Sequence, residues 1–239
     1  MQSDSEHREF MPPPASRVAA RAIALVGVSC RSALEMEDSR DLAELKRLHV
    51  CEWLDHLGVM EELEQSEMNL LNTPYRMLDQ RAVVNAEWRG EGMLVLAWAL
   101  GRSELVRYDQ VCDSGEVGCA LGFMYERSET VLAKPVLRDS GEIGRWRDTY
   151  LTIHWRLRQY QLHPEPIDFP DLVSWFNWGP LRLDDLDLVD GDLAICGRRI
   201  DRISFDEFAQ TFSIVIERHK AFNWLLGAAG VYSAVSTDT

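Results

Sequence analysis

The segment from Phe212 to Gly227, FSIVIERHKAFNWLLG, is apolar around most of a helical circumference, with Ile214, Val215, Phe222, Leu225 and Leu226 on the broadest arc. A helix of this kind has no whole face to give to water, so it has to be central, with other elements packed around it. Arg218 and His219 fall on the same arc. Both therefore require partners, and Arg218 calls for a carboxylate in bidentate geometry. Glu217 and Asn223 face another side.

The surrounding elements also read as helices. Ser16 is placed to cap a helix running to about Cys30, and a second helix is predicted over 41–57, with Leu42, Leu45, Trp53 and Leu57 as its apolar stripe and Gly58 as its stop. A shorter helix follows near 61–71. Thr73 and Pro74 then form a cap and first-turn signal for a long helical segment ending at Gly101. The stretch 106–136 has no sustained period and reads as loops around one short helix near Leu121. Ile143, Trp146, Tyr150, Ile153 and Leu157 recur at threes and fours, predicting a helix over 142–160 that ends at His163-Pro164-Glu165-Pro166.

One region departs from this period. Leu186, Leu188, Leu193, Ile195 and Ile200 are punctuated by Asp190-Gly191 and Cys196-Gly197, the turn chemistry of a small antiparallel hairpin or three-stranded meander near 186–201. The expected fold class is α+β, mainly α-helical, with the hairpin to one side of a helical core. The triple proline at 12–14 marks residues 1–14 as a disordered lead, and 15–239 reads as a single globular domain.

Several polar residues occupy positions that periodicity assigns to the interior. With Val84 as zero on a helical wheel, Trp88, Glu91, Val95 and Trp98 share one stripe, which puts Glu91 in the middle of it. A carboxylate there must be paired, protonated, metal-bound or set in a cleft; the plainest reading is a tie to an Arg or His on another helix. His154 lies near the azimuth of Ile143, Tyr150 and Leu157, and Arg147, Arg156 and Arg158 flank it. Its imidazole suits a satisfied core position first, and otherwise acid/base work near neutrality or metal ligation. Glu91, His154, Arg218 and His219 are thus the candidate catalytic residues, and Arg89, Arg156 and Asn223 the candidate ligand contacts. His49, Glu52 and His56 share a helical face at a three-then-four spacing open to a metal, but that spacing recurs on solvated faces and lacks the HExxH arrangement, so no metal or cofactor is expected.

Charge and motifs narrow the function classes. The chain has 25 Lys plus Arg against 39 Asp plus Glu, a net −14, which repels a nucleic-acid backbone. No Walker loop, GxSxG elbow or dinucleotide fingerprint is present. The longest apolar run, 93–100, is far short of the roughly twenty residues a membrane span requires. Five widely spaced cysteines and an acidic, polar N-terminus point to a reducing, cytoplasmic setting without export.

WRGEGMLVLAWALG at 88–101, YLTIHWRLR at 150–158 and ERHKAFNWLLG at 217–227, followed by STDT at 236–239, resemble the bacterial family called domain of unknown function 4272. The resemblance extends from about Arg17 to the terminus. It aligns the family's WR-x-E with Trp88, Arg89 and Glu91, its WALG with Trp98 to Gly101, its helix His and Trp with His154 and Trp155, and its ERH…NW with Glu217, Arg218, His219, Asn223 and Trp224. Ahead of the closing TDT the family carries a Trp-Asp pair, where this chain has Gly230-Val231-Tyr232-Ser233. The resemblance implies no substrate, cofactor or mechanism. The expectation is therefore a soluble bacterial protein acting through protein contacts, with another protein or a second copy as partner. The alternative is a hydrolase-like or small-anion-binding enzyme built on the Glu/His/Arg cluster between helices.

Overall fold

The computed structural model describes residues 11–125, 127–175 and 181–238. The expected lead falls largely on residues 1–10, outside the described residues. Helix α1, Ala15–Ala33, opens on Pro14, whose extended backbone and carbonyl receive the N–H groups of Arg17 and Val18 at 2.9 and 3.1 Å. Ser16 therefore lies in the first turn and not at the cap.

Helix α2, Arg40–His56, is capped by the Ser39 hydroxyl. Its buried side is Ala43, Val50 and Leu54, while Leu42 and Leu45, expected in the apolar stripe, face solvent. Helix α3, Gln65–Asn72, begins with a capping box made by Glu64 and Glu67. Helix α4, Gln80–Ala99, starts later than Thr73-Pro74 would have it. Thr73 turns its hydroxyl back onto the Asn69 carbonyl at 2.7 Å and ends α3, and Asp79 caps α4 through the Ala82 N–H at 2.8 Å. The ionised carboxylate is the stronger acceptor for a helix N-terminus.

The loop region contains two helices where one was expected: α5, Ser114–Ala120, and α6, Arg127–Ala133. Seven residues are too few for a period to register, but Asp113 accepts from the N–H groups of Gly115 and Glu116 and sets α5 in place. Helix α7, Ser140–Leu162, is followed by a short α8, Phe169–Trp175, and by strands β1, Leu188–Val189, β2, Asp192–Ile195, and β3, Arg198–Arg199. The sheet is antiparallel in the order β1-β2-β3, with Leu188 opposite Leu193 and Ile195 opposite Arg198. Both two-residue turns, Asp190-Gly191 and Cys196-Gly197, have positive φ at each position, as twist-matched hairpin turns require.

Helix α9, Phe205–Leu225, is held by a Ser204–Glu207 capping box and packs on both α4 and α7. Helix α4 packs on α1 in turn, so α1, α4, α9 and α7 form the spine. Helices α2, α3 and α6 also lie against α1, and β2 touches α9. The chain is thus mostly helical with a small three-stranded sheet. Along α4 the stripe of the wheel gives way to burial on all sides: Val84 is exposed, whereas every residue from Gly90 to Ala99 is buried.

Candidate functional site

The spine brings the marked polar residues together in pairs. Glu91 on α4 faces Arg218 on α9, whose Nε and Nη2 reach Glu91 Oε2 at 2.8 and 2.6 Å, while the Cys112 N–H donates to Oε1 at 2.9 Å. The remaining Arg218 donors go to the carbonyls of Val106, Arg107 and Gln110 and to the Tyr150 hydroxyl, all between 2.7 and 2.9 Å. Arg218 is fully buried and each of its nitrogens has an acceptor. It ties α9 to α4, to α7 through Tyr150 and to the irregular chain at 106–110. The Glu91 carboxylate has no oxygen left over for a substrate proton, and burial together with the Glu91 charge pushes the adjacent Cys112 thiol up to about 12, far from thiolate chemistry.

His154 and His219 form a separate pair, with their Nδ1 atoms 3.1 Å apart. One nitrogen must donate and the other accept, so the contact holds a single proton. Asn223 Nδ2 lies 3.2 Å from His219 Nε2 and 3.2 Å from the Ser236 carbonyl oxygen. The carbonyl orients the amide nitrogen as a donor to both, which leaves His219 to carry its proton on Nδ1 and His154 to accept it. Burial lowers both imidazole pKa values well below the ordinary range; Arg158 adds to the effect at His154, and His154 and Arg147 add to it at His219. Both rings are neutral near pH 7.

The four candidate catalytic residues therefore divide into two closed contacts. Arg156 is likewise engaged: its Nε and Nη2 grip Asp192 at 2.7 and 2.6 Å, both residues are fully buried, and the N–H groups of Ile167 and Leu193 complete the Asp192 shell. Asn223 borders a 470 Å³ hollow with Arg147. Arg89 pairs through Nη1 with Glu217 at 2.9 Å and lines a 310 Å³ groove. His49, Glu52 and His56 are all exposed, His56 lies 3.6 Å from Glu129, and no three His, Cys, Asp or Glu side chains among the described residues are grouped to hold a metal.

The sequence reading missed a fourth buried knot. Arg21 in α1 donates two hydrogen bonds to Glu67 at 2.7 and 2.6 Å, a third to the Glu62 carbonyl, and lies 4.7 Å from the centre of the Tyr232 ring. Its signal was present, an arginine inside the otherwise apolar run VAARAIALVGV. Asp192 was hidden because DGD reads as turn chemistry.

No curated protein and no solved structure matches the chain. The profile of the family described as a domain of unknown function, DUF4272, matches residues 4–173, beginning ahead of Arg17 and taking in the Trp88–Gly101 and Tyr150–Arg158 segments but not α9. On that match the chain belongs to the DUF4272 family.

Proposed function

We propose that the protein works by contact with another protein and not by catalysis, and that α2 is the contact element. The observation that carries this reading is the exposed leucine row. Leu42, Leu45 and Leu48 recur every third residue on the outer face of α2 and are 40, 50 and 49% exposed. Single exposed apolar residues are ordinary, but three in a row on one helix face form a patch of the kind used to dock an amphipathic helix. The interior arrangement agrees with it, since Glu91 and Arg218 neutralise each other while the uncharged His154 and His219 share one proton, which leaves no poised acid, base or nucleophile among the four.

The occupant is a basic amphipathic helix of a different protein. Exposed Asp41, Glu52 and Asp55 rim the leucines, whereas Lys46 is already paired with Glu37 at 2.5 Å. A second copy would bring the same acidic rim against this one. The test uses a synthetic helix with one leucine face and one lysine face, titrated into wild type and Leu45→Glu. The substitution adds negative charge while removing apolar surface, so general electrostatic attraction would tighten binding. Leucine docking predicts about a tenfold loss. Equal or tighter binding by Leu45→Glu overturns the reading, as does a wild-type dimer in sedimentation that Leu45→Glu converts to monomer.

A further inference from the structure

Helices α3 and α4 both rest on α1 without closing on each other, and the space between them is the 310 Å³ groove. Residues at helical spacing on α4, Ala82, Asn85, Ala86 and Arg89, make one wall; Asn69 and Leu70 of α3 make the other, with Val28 of α1 between them. The alanines keep the groove open, and its volume stands at the small end of the range for metabolite pockets, about 300–1,000 Å³.

Arg89 gives the groove its chemistry. Among its nitrogens only Nη1 has an acceptor, Glu217, and the guanidinium carbon lies 5.9 Å from the centre of the Tyr232 ring; the Nε and Nη2 edge has no acceptor among the described residues. This is the edge that holds a carboxylate elsewhere in the molecule: Arg107 on Asp109, Arg156 on Asp192, Arg199 on Asp201 and Arg218 on Glu91. A guanidinium presents two parallel N–H groups there, matched to the two oxygens of a carboxylate. The other charged residue of the lining, Glu67, is occupied on both oxygens by Arg21. The groove therefore offers a docking edge for an anion and no unpaired carboxylate for an ammonium group. Asn69 accepts from Gln65 through Oδ1 at 3.0 Å and keeps its own amide N–H groups for a ligand carbonyl.

We infer that this groove binds a small monocarboxylate with an apolar body and an uncharged amide, the carboxylate seated on the Nε and Nη2 edge of Arg89. The inference is independent of the leucine face of α2. N-acetyl-L-phenylalanine carries these groups and serves as the probe, titrated calorimetrically into the full chain, with its methylamide as the partner compound lacking the charge. Saturable one-to-one binding is expected for wild type. The methylamide and Arg89→Gln should each weaken it tenfold or more, the loss of a charge-assisted pair. Because Arg89→Gln also breaks the contact with Glu217, Ala82→Leu provides a second variant that fills the groove and leaves the ion pair alone; it should abolish binding. No saturable binding up to about 10 mM probe overturns the inference, and so does affinity unchanged in Ala82→Leu, in Arg89→Gln or with the methylamide.

Discussion

Replacing Gly92 by alanine tests how α4 and the C-terminal tail are fitted together. Gly92 is a buried residue in the middle of α4, where alanine is intrinsically better by about 1 kcal/mol. A methyl built there would lie 2.1 Å from the Tyr232 hydroxyl oxygen and 3.3 Å from Cζ. Contact distances are well over 3 Å, so the ring must withdraw by more than an ångström or leave its site. Expelling it would give up the burial of an aromatic side chain, about 150–250 Å², or roughly 4–6 kcal/mol at 25 cal/mol per Å². Shifting the backbone instead costs about 1–3 kcal/mol, and the molecule takes the lesser cost. A clash this close belongs at the upper end of that range, so after the gain in helix propensity Gly92→Ala should lose about 2 kcal/mol.

The sign reverses when the hydroxyl is removed. Tyr232 Oη is buried with no hydrogen-bond partner among the described residues, so Tyr232→Phe alone should be neutral or stabilising by about 1 kcal/mol. In Gly92→Ala with Tyr232→Phe, the closest ring atom is at a tight but tolerable 3.3 Å, and the double variant should exceed wild type by the helix-propensity gain. Urea unfolding followed by tryptophan emission reads all four corners of the cycle, with Trp224 reporting locally because its ring lies 5.6 Å from that of Tyr232. A Gly92→Ala single variant as stable as wild type or more so, with no coupling to Tyr232→Phe, would refute the argument.

Glu91→Gln should cost about 3–5 kcal/mol in urea unfolding, because Arg218 keeps its buried charge and loses its counter-ion. Unlike an isolated ion pair, this one should not be rescued by Glu91→Leu with Arg218→Met, since three backbone carbonyls and Tyr150 would then lack their donor. Asp192→Asn should destabilise by a similar amount and loosen the hairpin first, seen as faster amide exchange at Ile167 and Leu193. The His154–His219 pair makes stability fall with acid: both folded-state pKa values are depressed, so the unfolded chain takes up protons below about pH 6.5 that the folded pair refuses. The urea midpoint should decline as the pH drops below that value, and His219→Asn should flatten the decline. A steeper slope in the variant would contradict the assignment.

Most of the architecture could be read from local patterns. The 3.6-residue period of α7, the wide apolar arc of α9 and the Asp-Gly and Cys-Gly turn signals of the hairpin are each set by a few neighbouring residues. Where the reading failed, the competing signals were also local but finer. Asp79 displaced Thr73-Pro74 as the cap of α4, and α6, seven residues long, was too short to show a period. On α2, the spacing of Leu42 and Leu45 matches the helical face of Trp53 and Leu57, yet only the latter two pack against the core, because spacing identifies a face without saying what covers it.

The candidate site divides along the same line. That Glu91, His154, Arg218 and His219 occupy apolar faces follows from the sequence alone, and so does their need for partners, since an unpaired buried charge is prohibitively costly. Which residue meets which was decided by the tertiary structure. Glu91 and Arg218 are 127 residues apart in the chain, and His154 and His219 are 65 apart, so only the packing of α4 and α7 against α9 brings each to its partner. The same packing sets Arg89 in the lining of a groove, with Nη1 on Glu217, while the Nε and Nη2 edge of Arg218 closes on a carboxylate. Residue type sets what a guanidinium can bind; the distance to the neighbouring helix determines whether the protein itself supplies it.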